Sequence, residues 1–244
     1  MASVAEHYDN LLSDVYSWML GGYDAALTRN RDFFAARQIL PSSIEQACVA
    51  VDLGAGCGFQ SIPLAELGYE VVAVDLDKKL LHELNQYKGK LSIQTKIDDM
   101  FNFEQHMSQP AELIVCMTDT LLHLPDAEAV QMLFAHIKSA LSENGKCIFT
   151  FRDLTHSLKD LDRFIPLRSD ENRIFTCFVE EEDETRVKIH DLIHIKTEQG
   201  WQLHKSFYHK LRLSPEWVEI QLKMAGFNQV SVENDNGMIV VIGG

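Results

Sequence analysis

The sequence predicts an α/β fold: a doubly wound, seven-stranded, mostly parallel sheet that carries an antiparallel three-stranded insertion. Three observations lead there. From residue 48 onward short apolar runs alternate with helical patterns, the first run ends in a glycine-rich turn, and residues 172–212 break the rhythm with three successive strand-like runs. Alternating strands and helices imply parallel pairing with helices on both faces of the sheet. A length of 244 residues suits one domain, read as 1–244. Its parts are an N-terminal helical cover (1–40), a core (48–152), the insertion (172–212), and a closing helix with a strand pair (214–244).

Each element has its own signal. Leu11, Leu12, Val15 and Met19, then Leu27, Phe33, Phe34 and Ile39, recur at helical spacing, interrupted by Gly21-Gly22. Cys48–Leu53 reads as a buried strand, Ile62–Leu67 as a helix stopped by Gly68, and Val71–Val74 as a second strand closed by Asp75. A helix over Lys79–Tyr87, strands over Leu91–Ile97 and Leu113–Met117, and a helix over Ala127–Leu141 follow. The fifth strand, Lys146–Phe151, comes after a turn at Asn144-Gly145. In the insertion the runs are Arg173–Val179, Arg186–Lys196 and Trp201–Leu213. Ser214-Pro215 then opens a helix, with Ser as N-cap and Pro at the first helical position. The last two strands lie near Gln229–Glu233 and Met238–Ile242.

Composition narrows the function. Lys and Arg number 22 against 36 Asp and Glu, a net charge of −14, which disfavours phosphate backbones, so no nucleic-acid partner is expected. The acidic run Glu180–Glu184 reads as a solvated hairpin tip. No apolar run approaches membrane-spanning length, and His7, Tyr8, Asp9 and Asn10 stand where a signal peptide needs apolar residues. The five cysteines, 48, 57, 116, 147 and 177, are widely spaced with no C-x-x-C pair. That fits neither a disulfide framework nor a zinc site, and the expected location is cytoplasmic with no metal.

The sharpest motif is Val51-Asp52-Leu53-Gly54-Ala55-Gly56-Cys57-Gly58-Phe59. Glycines after a strand permit a tight turn and close approach of a ligand to the backbone. A dinucleotide site wants G-x-G-x-x-G, yet Phe59 stands where the third glycine belongs, and Asp52 would be unwelcome beside a pyrophosphate. The stretch resembles the first motif of class I S-adenosylmethionine-dependent methyltransferases, a Rossmann-like family, and the resemblance extends over about residues 48–152. It implies S-adenosylmethionine as cofactor, held by Asp52, Gly54, Ala55, Gly56 and Gly58 of the loop. It also implies Asp75 with Leu76 at the ribose, Asp98 or Asp99 with Met100 at the adenine, and Met117 beside the transfer site. Asp99 is preferred over Asp98 because Met100 follows it; Asp75 as a helix cap is the structural alternative.

Methyl transfer needs alignment and exclusion of water, and a base only where the acceptor must lose a proton. Asp119 and His123 share a face if a helical turn begins after the fourth strand, giving catalytic candidates balanced against a capping role. Tyr16, in an N-terminal segment rich in aromatics, is a third candidate. In the insertion, Asp191 lies among β-branched residues and is expected to face Lys205, Phe207 and His209, as a structural ion pair or an acceptor ligand. The reading is methyl transfer to a small-molecule acceptor. A non-catalytic binding module and a nicotinamide-dependent oxidoreductase are the alternatives. A homodimer through the insertion is a further expectation, since edge strands can pair with a second chain.

Overall fold

The computed structural model describes residues 4–43 and 45–244, so the first three residues of the expected cover lie outside it. The chain opens with α1 (Val4–His7), a π-helical turn (Tyr8–Leu12), α2 (Tyr16–Met19) and α3 (Tyr23–Ala36). Gly21 and Gly22 separate α2 from α3 with φ values of 97° and 98°, a region that costs glycine little.

The α/β alternation then runs β1 (Val49–Leu53), α4 (Ser61–Glu66), β2 (Glu70–Asp75), α5 (Lys78–Tyr87), β3 (Ile93–Ile97), β4 (Ala111–Cys116), α6 (Ala127–Ala140) and β5 (Leu141–Phe151). These five strands pair in parallel. After the insertion come α7 (Pro215–Met224) and a hairpin whose strands span Val230–Asp235 and Met238–Gly243. The Met238–Gly243 strand pairs antiparallel to β5 and completes a seven-stranded sheet. Along that sheet β2 and β3 lie on one side of β1, and β4 and β5 on the other. The strand order reverses between β1 and β4, where open α/β sheets bind ligands at their carboxyl ends.

Burial follows the strand alternation. Val49, Val51 and Leu53 join a cluster with Val130, Leu133 and Phe134 of α6 and Leu222 of α7. Ala50 joins the opposite cluster, with Phe34 of α3, Ile62 and Leu64 of α4, and Leu84 of α5. All five β1 residues are therefore buried, as a strand with helices on both faces requires. Ser214 caps α7 by accepting from the Trp217 N–H at 3.1 Å. The cap of α5 is Asp77, which accepts from the Lys79 and Leu80 N–H groups, so Asp75 is not used as a cap. Asn144-Gly145 is no turn: the fifth strand starts at Leu141, and the register against β4 shifts across this segment. Gly145 permits the shift because a Cβ there would stand 2.8 Å from the Ala111 carbonyl oxygen.

The insertion is a separate sheet of four strands rather than three: β6 (Phe164–Ser169), β7 (Arg173–Glu181), β8 (Arg186–Thr197) and β9 (Gly200–Leu211). Strand β6 escaped the sequence reading because Pro166 interrupts its pattern and its side chains are mostly exposed. Proline is tolerated there because β6 is an edge strand.

A second correction concerns Asp191. Thr197 pairs with Gly200, so Glu198-Gln199 is the loop, and Asp191 stands opposite Ser206. The expected register was off by one residue, and a slip of one carries a whole strand to the other face. Lys205, Phe207 and His209 thus lie on the outer face; Ser206, Tyr208 and Lys210 share the inner face with Asp191. Asp191 is buried, accepting from His7 Nε2 at 2.9 Å and from the Cys177 thiol at 2.8 Å. It anchors α1 to the sheet.

Candidate active site

At the carboxyl ends of β1, β2 and β3 lies a cavity of about 300 Å³. Its floor is the glycine loop. A Cβ at Gly54 would come within 2.3 Å of Thr120 Cγ2, and one at Gly58 within 2.1 Å of Leu84 Cδ1, so the loop, the turn at Thr120 and α5 pack together only without side chains there. Of the residues assigned to a cofactor, Gly54, Gly56, Asp75, Leu76, Asp98, Asp99 and Met100 line the cavity. Asp52, Ala55, Gly58 and Met117 are not in its lining.

Asp52 is buried and accepts from the Ser61 hydroxyl at 2.6 Å, tying the end of β1 to the start of α4. Burial pushes its carboxyl up to about 7, against the opposing hydrogen bonds from Ser61. The folded state therefore holds the Asp52 proton where the unfolded chain has lost it, and stability falls as pH rises from about 4 to about 7. Asp52→Asn is expected to remove that fall while leaving cofactor affinity near wild type; melting curves at about pH 5 and about pH 8, with a binding titration, check both.

Asp75 presents a different arrangement. Gly56 N–H donates to Oδ2 at 2.7 Å and Asp77 N–H to Oδ1 at 2.8 Å. Burial still raises its carboxyl above the usual range. Each oxygen keeps a second lone pair, and a buried carboxylate calls for donors from whatever fills the cavity. Asp98 accepts from Asn102, His106 and the Asp99 N–H, and these hydrogen bonds hold it below the usual carboxylate range. Asp99 caps the 3₁₀ turn Met100–His106, accepting from the Phe101 N–H at 2.9 Å.

The opposite wall belongs to the N-terminal cover and to the 3₁₀ turn Thr120–His123. Tyr16 and His123 line it, joined by Tyr8, to which the sequence reading gave no role at the site. A signal was present: Tyr8 and Tyr16 are about two helical turns apart, and their ring centroids lie 6.0 Å from one another. The Tyr8 hydroxyl stands 3.5 Å from His123 Nε2. Burial, reinforced by the charge of Lys210, pushes the imidazole down to about 3, so His123 is neutral at physiological pH. Burial raises the hydroxyls of Tyr8 and Tyr16, so this wall offers uncharged hydrogen-bonding groups.

Asp119 does not share a face with His123. Thr118 and Asp119 adopt left-handed conformations, φ 57° and 67°, and the 3₁₀ turn begins only after them. The Asp119 side chain, 3% exposed, points away from the cavity lining. It accepts from the Arg152 N–H at 2.8 Å, from the Arg152 guanidinium, and from Lys210 Nζ at 2.7 Å. Despite burial, Lys210 and then Arg152 hold its carboxyl well below the usual range. Lys210 and Arg152 carried no sequence signal, because nothing local marks a partner 91 or 33 residues away.

Comparison with known proteins bears on the fold. Residues 50–145 match the family model described as a methyltransferase domain. A comparison with curated proteins finds no match. Among solved structures, an S-adenosylmethionine-dependent methyltransferase from Clostridium acetobutylicum superposes with a TM-score of 0.72 at 17% identity, over 97% of this chain and 98% of that one. DesVI from Streptomyces venezuelae gives 0.73 at 15% identity, covering 95% and 97%. CalS10 from Micromonospora echinaspora, an amino pentose methyltransferase, gives 0.68 at 13%, covering 95% and 96%. Identities this low establish fold alone. Residues 50–145 thus match a methyltransferase domain, within a chain that has the fold of the S-adenosylmethionine-dependent methyltransferases.

Proposed function

We propose that the protein transfers the methyl group of S-adenosylmethionine to a small-molecule acceptor. The observation that carries this reading is Asp75, a buried carboxylate at the end of β2 that holds the glycine loop by one oxygen and α5 by the other. Asp75 lines the cavity, and a ribose diol would supply two donors to its remaining lone pairs. The cofactor's sulfonium is cationic, and Asp75, Asp77, Asp98 and Asp99 line the cavity with no Lys or Arg in the lining. The donor set therefore fits the cofactor: Asp75 and Gly56 at the ribose, Asp99 with Met100 and Phe101 at the adenine. Asp52 supports the loop from behind.

The bound cofactor supplies an electrophilic methyl group. The protein's share is to hold that group against the acceptor and to keep water out. Tyr8, Tyr16 and His123 are the groups available to bind and orient the acceptor, whose class is supported by the cavity's modest volume and by the amino-sugar activity named for one structural neighbour. Asp119 serves as a positioning residue. The cytosol is the proposed compartment, in keeping with five cysteines that are all unpaired and buried; among the described residues no helix is long and apolar enough to cross a membrane.

Calorimetric titration with S-adenosylmethionine, S-adenosylhomocysteine and NADH tests the reading. Micromolar binding of the two sulfur compounds, without NADH, is the expected result. Absence of both signals overturns it, and an NADH signal alone would favour the oxidoreductase.

The proposed macromolecular partner is a second copy of the chain. The outer face of the four-stranded sheet exposes Ile174, Trp201 and Leu203, with Phe164 on its edge strand. Light scattering at the mass of two chains is expected; a monomer mass across concentration would remove the dimer.

A further inference from the structure

The inner face of β9 reaches the cavity wall from behind. Tyr208 packs between two histidine rings, with centroids 4.4 Å from His7 and 5.4 Å from His123. Two residues on, Lys210 Nζ lies 5.8 Å from the Tyr208 ring centroid and 2.7 Å from Asp119 Oδ2. The lysine side chain is only 10% exposed, so its head is committed to the carboxylate rather than to water. Asp119 in turn holds a strained stretch. Left-handed backbone costs a residue with a side chain about 1–2 kcal/mol, and Thr118 and Asp119 both adopt it. Thr118 N–H donates to the Thr150 hydroxyl, Asp119 N–H to the Thr150 carbonyl, and Arg152 N–H, the Arg152 guanidinium and Lys210 to the Asp119 carboxylate. The Thr150 and Arg152 contacts come from the end of β5 and its continuation. Lys210 alone comes from the insertion sheet.

We propose that Lys210 is a positioning residue of the transfer site, acting through Asp119 to hold the loop that presents His123 to the cavity. The assignment rests on the methyl-transfer reading of that cavity. It gives the four-stranded sheet a part in the chemistry beyond covering the site: β9 carries both the surface on which the imidazole packs and the cation that fixes its loop. Several charged or titratable groups surround His123. Tyr8 faces it from the N-terminal cover, Tyr208 and Lys210 from β9, Asp119 from its own loop, and His7 from α1. Of these Lys210 is the fixed cation, and a cation at that place opposes protonation of the ring. Arg152 meets the same carboxylate with a side chain 53% exposed, where solvent screens its charge.

The test is a proton-NMR titration of the imidazole signals of the full chain, with the His123 resonance identified by its absence in His123→Gln. In the wild type the His123 signal should not titrate above about pH 5. In Lys210→Met its midpoint should move up by one pH unit or more, an about tenfold change in proton affinity. Lys210→Arg should restore the wild-type curve, and Arg152→Met should shift it less than Lys210→Met does. Coincident curves for wild type and Lys210→Met overturn the proposal, as does an equal shift in Arg152→Met; a lower melting temperature without a shift would make Lys210 a merely structural residue. Should Lys210→Met fail to fold, Lys210→Gln replaces it with the same criteria. The titration needs no cofactor, so loss of S-adenosylmethionine binding would remove the methyl-transfer reading without deciding the role of Lys210, and the NMR curves would decide that role without touching cofactor binding.

Discussion

Asp119→Ala is expected to cost about 3–5 kcal/mol of folding stability, the usual consequence of removing one partner from a buried ion pair. The variant leaves the Lys210 ammonium, 10% exposed, without its carboxylate, and removes the acceptor for the Arg152 N–H. It also frees two left-handed residues, Thr118 and Asp119, from part of what holds them. Lys210→Met should cost less, because Asp119 keeps both contacts to Arg152. That ordering separates a buried cation from a half-exposed one and can be read from urea unfolding of the three proteins. The pH dependence has a definite sign. The folded-state Asp119 titrates below its unfolded value, so its contribution is fully present above about pH 4 and is lost as the pH falls through the folded value. The gap between wild type and Asp119→Ala should therefore narrow on acidification below about pH 4. A gap that stays constant to the acid limit would mean that the carboxylate charge is not what stabilises the turn.

Asp75→Ala should weaken S-adenosylmethionine binding by about 1–3 kcal/mol, the usual worth of hydrogen bonds to a charged group. Part of that loss would come from the loop, since the Gly56 N–H and the Asp77 N–H both lose their acceptor. Asp75→Asn separates the two contributions: its amide can still accept through one oxygen but presents an N–H₂ group in place of the other. A Kd for Asp75→Ala equal to wild type by calorimetry would take Asp75 out of the cofactor site. Paired with Asp52→Asn, which is expected to change the pH dependence of stability and leave affinity alone, the titration distinguishes an acid that touches ligand from one that supports the loop.

The two aspartates show how far sequence reasoning reached. Both end buried strands, and both were assigned to the cofactor by resemblance. Sequence places each at the carboxyl end of its strand, yet only packing directs Asp75 into the cavity and Asp52 toward Ser61. The same limit applies to Asp119 and His123. Their spacing of four suits one helical face, but two left-handed residues precede the turn and send the carboxylate to β9 while the imidazole faces the cavity. Tyr8 reached that wall because the cover folds back over the sheet; Tyr16, chosen from sequence, reached it for the same reason.

In the insertion the boundary is sharper still. The composition of residues 173–213 was enough for three strands, since alternating β-branched residues and acidic or glycine-containing turns are local signals. The register was not local. A turn centred on Gln199 would set Asp191 opposite Phe207, with Lys205 and His209 on the same face, whereas the loop at Glu198-Gln199 sets it opposite Ser206, and both loops are compatible with the sequence.

The sequence by itself determined the order of most strands and helices, the glycine turn after β1, the cap at Ser214, and the acids that end the second and third strands, because each depends on residues within a few positions of one another. Tertiary structure alone decided the fourth strand of the insertion, the burial of Asp191 against His7, and the chain of contacts from Lys210 through Asp119 to the loop of His123. Those contacts join residues from 33 to 184 positions apart, where the free energy of a pairing comes from desolvation and packing that no local pattern records.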